Sequence, residues 1–174
     1  MKIAQIGEQI LRQPAEQVSP STFSTAELEV FVEELLNTVL DANGVGIAAP
    51  QVFDSRAVMI IASRPNKRYP DAPEMAPLVL INPSVEWQSE HAVTAWEGCL
   101  SVPGLRGNIM RSDAVTVKYF NVAGETKRAE FEGFVARIFL HEYDHLIGKT
   151  WLDHVTSTEQ VMAESVWIDQ VLNA

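Results

Sequence analysis

At 174 residues the chain has length for one domain with its own core, and 47% hydrophobic with 21% charged residues excludes a disordered polymer. Thirteen basic against 23 acidic residues give a formal charge of -10, which argues against a nucleic-acid binder, because such proteins replace condensed counterions with a basic patch. A single cysteine, Cys99, excludes an intramolecular disulfide, and no apolar run reaches the length of a membrane span.

Residues 1–24 read as irregular, punctuated by Pro14 and Pro20, and contain no apolar core of a signal peptide. The expected location is cytoplasmic, although a mature organellar form with its leader removed has the same appearance. Ser24 and Glu27 are spaced as a capping box. After them Leu28, Phe31, Val32, Leu35, Leu36, Val39 and Leu40 recur at helical spacing, which predicts an amphipathic helix over 25–42. The segment 44–51, Gly-Val-Gly-Ile-Ala-Ala-Pro-Gln, is neither a good helix nor a good strand. Short β-like runs follow at 57–62, 79–81, 114–120 and 127–134, with a proline-rich surface loop over 63–77. Helical character returns at 135–147 and stops at Gly148, and Thr156 with Glu159 predicts a last helix through Leu172. Strands between an early and a late helix predict an α+β fold over one domain, residues 1–174.

The most informative segment is His141-Glu142-Tyr143-Asp144-His145. On a helix, positions i and i+4 share a face, so the two imidazoles can converge on one ion. Glu142 sits one step round, within reach of water at that ion without ligating it, as suits a proton-transferring base. The alternative is an ordinary helix with surface histidines. A metal needs at least a third protein ligand. The pattern with a third histidine after Gly148 fails, because Trp151 stands in that place. Glu159 and Glu164 are downstream carboxylates on what reads as a solvated face. Cys99, in Glu97-Gly98-Cys99-Leu100-Ser101, is the better ligand by softness, yet a lone cysteine is commonly a small buried apolar residue.

Three segments taken together are more specific. Residues 44–51, 97–101 and His141 to Gly148 occur in the order and approximate spacing of the peptide deformylases, which the chain resembles over nearly its whole length, including Arg12 and Ile81-Asn82-Pro83. The resemblance implies a metal-dependent hydrolase that removes the formyl group from the N-terminal formyl-methionine of nascent polypeptides. It implies small mixed β-sheets packed around a central helix that binds the metal, with an N-terminal and a C-terminal helix. Carried over by position, it implies Cys99, His141 and His145 as metal ligands and Glu142 as general base, then acid. The Gln51 side-chain amide and the Leu100 backbone N–H would face the formyl oxygen, and Gly46 and Gly98 would bond an extended substrate. Phe134 and Ile138 would line the methionine pocket, with Arg137 near its rim.

The family typically uses Fe2+, with Zn2+, Ni2+ or Co2+ able to replace it; two imidazoles and a thiolate suit zinc as well. Two features depart from the family. Leu140 replaces the usual glutamine before His141, which removes any hydrogen bond from that side chain. The C-terminal residues from 156 contain acidic groups and no Lys or Arg, which argues against ribosome docking through a basic helix. His91 and His154 read as surface residues, and Trp96, Trp151 and Trp167 as packing. Two other readings stay open on the motifs alone. One is a different amidase or peptidase with the same triad; the other is a metal-stabilised binding module, which would require a fourth protein ligand.

Overall fold

A computed structural model describes residues 1–173. The predicted first helix is α1 (Ala26–Asp41), which buries Leu28, Phe31, Val32, Leu35 and Val39. Its N-cap is Thr25, whose hydroxyl accepts the Leu28 N–H at 3.3 Å. Ser24 is not the cap: it takes a φ of 56° and gives its N–H to the Val122 carbonyl. The capping chemistry was expected one residue too early.

Five strands form an antiparallel sheet in the order β1-β2-β3-β6-β7. They are β1 (Gly46–Ala48), β2 (Val58–Ile61), β3 (Leu78–Gln88), β6 (Ala114–Phe120) and β7 (Thr126–Glu132). Val58 and Ile60 pack with α1 on one face, and Met59 and Ile61 with α2 (Gly133–Leu146) on the other. Because β2 is covered on both sides, its sequence shows a continuous apolar run and no alternation. Helix α2 ends before Gly148, whose φ is 72°; a side chain there would press on the Arg12 carbonyl at 2.8 Å.

A second antiparallel sheet, in the order β4-β5-β8, contains β4 (Ala92–Cys99), β5 (Val102–Ser112) and β8 (Val161–Ala163). The sequence did not mark β4 or β5 as strands. In β5, Pro103, Gly104 and two arginines break the apolar pattern, and the arginines Arg106 and Arg111 are nevertheless buried, through ion pairs. Trp151, fully buried, packs on Val102 and Ile109 and fills the space that Gly107 leaves.

The continuous last helix expected over 156–172 does not form. Gln160 Oε1 accepts the N–H groups of Thr156 and Ser157, closing a short turn; residues 161–163 then pair with β5 as β8. Only one α-helical turn, α3 (Glu164–Trp167), and a π turn (Ile168–Leu172) follow. The fold is α+β as expected, but its two sheets are antiparallel. Strands β1 and β4 each lie at the edge of their sheet, and both border one cleft.

Candidate metal centre and cleft

Helix α2 presents His141 and His145 one turn apart, and β4 ends on Cys99 facing them. One ligating atom from each of these three residues lies within 4.8 Å of the others, and Cys99 Sγ is 3.3 Å from His145 Nε2. An ion about 2.3 Å from sulfur and about 2.0–2.1 Å from nitrogen, at a tetrahedral angle, sets those atoms roughly 3.5 Å apart. The donor set and its spacing therefore fit a divalent metal. Among the described residues the cluster contains three candidate ligands and no fourth, which is the pattern of an open site rather than a closed structural one.

Behind the histidines is a buried ionic network of residues far apart in the sequence. Glu97 accepts from His141 Nδ1 at 2.8 Å, from Arg111 at 2.6 and 3.0 Å, and from Arg137 at 2.7 Å. Arg111 also donates to Asp144 at 2.9 Å, and Asp144 Oδ2 lies 2.8 Å from His154 Nε2. A carboxylate facing His141 Nδ1 favours a proton on that nitrogen, so that Nε2 is the one turned to the cleft and would hold a metal. Burial alone would raise the Glu97 carboxyl, but His141 and Arg111 outweigh it and hold the group well below the usual carboxylate range. Burial also works against a charge on His141, yet Cys99, then Glu97 and Glu142, raise it well above an ordinary histidine. His145 is pushed well below the ordinary value, by burial and then by the neighbouring His141. The one signal in the sequence for Glu97 was its place two residues before Cys99.

Glu142 lines the cleft, is almost fully buried, and has one carboxylate oxygen, Oε2, without a partner. Burial, with Glu97 and Asp144 nearby, raises it to about 7, with His141 and Arg111 opposing. Gly46 explains how so tight a site is built. A Cβ there would lie 2.5 Å from Glu142 Oε1 and 2.7 Å from Ile138 Cγ2. Gly46→Ala should thus displace Glu142 or Ile138 and cost about 1–3 kcal/mol, as overpacking does. Thermal unfolding of the variant checks this: an unchanged Tm would mean that the helix yields freely.

Gln51 is buried, and its Oε1 is fixed by the Ala48 N–H at 2.9 Å. That orientation sends Nε2 toward Ser101 Oγ, at 3.2 Å, and toward Cys99 Sγ, at a weak 3.5 Å. No acceptor for the Leu100 N–H is found among the described residues. Gly98 sits where the register of β4 with β5 shifts, and a Cβ on it would lie 2.6 Å from the Arg106 guanidinium. Phe134 and Ile138, one turn apart on α2, line the same cleft, with the Tyr69 ring 5.0 Å from that of Phe134.

Arg137 lines the cleft beside Phe134 and Ile138; it is buried and donates to Glu97 and to the carbonyls of Ile109 and Val93. Two expectations need correction. Glu164 does not stand on a solvated face but pairs with the buried Arg106 at 2.6 Å. His154 is half-buried against Asp144, whereas His91 is exposed as expected. Leu140 packs in the core between α2 and the large sheet, and the buried Nδ1 of His145 has no partner. Trp151 and Trp167 are buried packing, while Trp96 forms part of the cleft wall.

A family model described as polypeptide deformylase matches residues 1–161. Peptide deformylase 2 of Nostoc sp. is 44% identical over 171 residues, which is 98% of this chain and 94% of that protein. Peptide deformylase 2 of Shewanella oneidensis is 46% identical over 160 residues, 92% of this chain and 87% of its own. Among solved structures, the Met-Ala-Ser-bound class I type b peptide deformylase from Acinetobacter baumannii superposes with a TM-score of 0.87 at 45% identity, covering 88% of this chain and 96% of that one. The peptide deformylase of Thermotoga maritima gives 0.78 at 33% identity, over 89% and 97%.

Proposed function

The chain belongs to the polypeptide deformylase family, and from that premise we propose that Cys99, His141 and His145 hold its metal ion while Glu142 moves the proton. The reaction is hydrolysis of the formyl amide at the N-terminal formyl-methionine of nascent polypeptides, giving formate and a free N-terminus. The observation that carries the residue assignment is the buried carboxylate of Glu142, whose Oε2 has no partner, beside three converged candidate ligands.

A divalent ion held there supplies a Lewis acid for the formyl carbonyl and brings the pKa of water toward neutrality. Glu142 takes a proton from the attacking water and returns it to the departing amine, a double role that suits a carboxyl poised near neutral pH. Gln51 Nε2 has one firm acceptor, Ser101 Oγ, so its second N–H is available to the formyl oxygen. The free Leu100 N–H is the second donor, and together they make an oxyanion hole. An extended peptide entering the cleft meets two unpaired strand edges, β1 at Gly46 and β4 at Gly98. It can bond both as an added strand. Phe134 and Ile138 then provide the apolar contact for the methionine side chain.

Ferrous iron is the ion we assign in the cell, on family usage; the same donors also satisfy zinc, nickel and cobalt. We read residues 1–174 as a single catalytic domain. The C-terminal turn packs Glu164 and Trp167 against the body, and no Lys or Arg occurs after Lys149, so contact with ribosomal RNA through a basic helix is not part of this reading. No helix is long and apolar enough to cross a membrane, and we place the reaction in the cytoplasm, where nascent chains emerge.

Formate release from formyl-Met peptides by anaerobically prepared ferrous enzyme tests the proposal. Activity should disappear on chelation and return with Fe2+, Ni2+ or Co2+. Activity that survives removal of all metal would sink it.

A further inference from the structure

The cleft does not end at the metal centre. It continues past Leu100 into a second recess under residues 103–105, and the two share Gly98, Cys99, Leu100, Arg68 and Arg106. If the formyl group lies at the metal centre and the methionine side chain at Phe134 and Ile138, the peptide after methionine leaves through that second recess. At about 3.3 Å per residue, the two residues after methionine pass its mouth.

Two arginines stand at this mouth, and their charges differ in availability. Arg106 is buried, donates from Nη2 to Glu164 at 2.6 Å and from Nη1 to the Tyr69 hydroxyl at 2.8 Å, and has its guanidinium 4.4 Å from the Trp167 ring. Its charge is cancelled by Glu164, which faces the same recess. Arg68 has no such partner. One of its terminal nitrogens donates to the Ala42 and Asn43 carbonyls, at 3.1 and 2.6 Å, just past the C-terminus of α1, and it pairs with no carboxylate among the described residues. Those carbonyls orient the guanidinium by dipole and leave it a full cation, with Nε and the other terminal nitrogen unengaged. In a chain of charge -10, this is a local positive point beside the path of the substrate.

We propose that Arg68 is a specificity-determining residue that favours a carboxylate within two residues after the formyl-methionine. The proposal rests on the deformylase reading. Its ligand is a carboxylate, from an Asp or Glu side chain or from the end of a short peptide. An Arg fork binds either bidentately.

The test compares kcat/KM for amidated formyl-Met-Ala-Xaa-Ala and formyl-Met-Xaa-Ala, with Xaa as Asp, Asn or Lys, and for formyl-Met-Ala as free acid and as amide. The peptides with Asp separate the side-chain source from the terminal one. The parent enzyme should prefer Asp over Lys by about two- to fivefold, mostly through KM, and less so at high salt. Arg68→Gln should erase the difference, and Arg68→Glu should reverse it. A merely structural Arg68 would lower turnover of all peptides alike. Equal rates for Asp, Asn and Lys peptides in the parent, or a preference that survives Arg68→Gln, would overturn the proposal alone. No formate from any peptide would overturn the deformylase reading with it.

Discussion

Glu142→Gln should lower deformylation by about 10²–10⁴-fold, keep one metal ion per chain, and make the metal-free protein more stable. The first effect follows from chemistry: an amide can neither take a proton from water nor deliver one to an amine. The second follows from geometry, since the atoms that could hold an ion belong to Cys99, His141 and His145, and Glu142 is outside that cluster. The third follows from the raised carboxyl. Glu142 moves from 4.5 to about 7 in the folded, metal-free chain, chiefly through burial. A folded-state pKa above the unfolded one means that the native state prefers the protonated form. The contribution is fully present below about pH 4.5 and is lost as pH rises through about 7. At pH 8 the ionised, buried carboxyl makes the fold about 3 kcal/mol less stable than a group that stays neutral throughout. The glutamine is neutral throughout. The metal-free variant should therefore melt above the metal-free parent at pH 8, and the gap should narrow by pH 5. Metal content, formate release and Tm at the two pH values measure all three effects. A variant with normal turnover would remove Glu142 from the mechanism. A Tm gap that does not depend on pH would remove the burial argument. A site residue that reduces stability is a common result of selection for function.

The helix of the site and its ligands were legible because their signals are local. His141 and His145 are four residues apart on one face, and the apolar residues of α2 show the helical period around them. Even there, spacing alone left surface histidines as an alternative, and only the structure brings Cys99, 46 residues before His145, to 3.3 Å from its ring. What the sequence hid was long-range and polar. Glu97, Arg111 and Arg137 form one buried cluster, although charged residues normally read as surface. Strands β4 and β5 were missed for the same reason: buried arginines and glycines stand where an apolar residue would have marked the inward face. At the C-terminus the error went the other way. A capping-box spacing and helical periodicity read as a helix, but residues 161–163 gain more from pairing with β5, and tertiary contact overrode local preference. Arg68 lay in a proline-rich segment that read only as loop. Its bond to the Asn43 carbonyl, just past α1, joins residues 25 apart and has no local signature.

Glu97→Ala should be the most destabilising change outside the proposed metal ligands. It removes the common acceptor of Arg111, Arg137 and His141 Nδ1 in one step. Two of the three donors are guanidinium groups that cannot lose their proton, and both are buried, so their charge can be neither discarded nor solvated. Breaking a buried pair from one side costs about 3–5 kcal/mol, and here Asp144 still partners Arg111, which keeps the cost within that range. The second effect is on the metal. Without a carboxylate at Nδ1, His141 is free to rotate and to exchange tautomers, and loss of such a partner typically weakens metal affinity by about 10–100-fold. Activity should therefore fall at limiting metal and recover in part with excess metal, which loss of a group that touches substrate would not allow. Acid stability separates the electrostatic part. The Glu97 carboxyl is held below its ordinary value in the folded chain, so its contribution is present above about pH 4.5 and is lost as pH falls toward the folded-state value. The parent should lose stability across that acid window, and Glu97→Ala should lose less of it. Glu97→Gln, which keeps the shape and one acceptor, should lie between them in both Tm and metal affinity. If all three proteins bound metal equally, the network would serve the fold alone, and the link from Glu97 through His141 to the metal would be wrong.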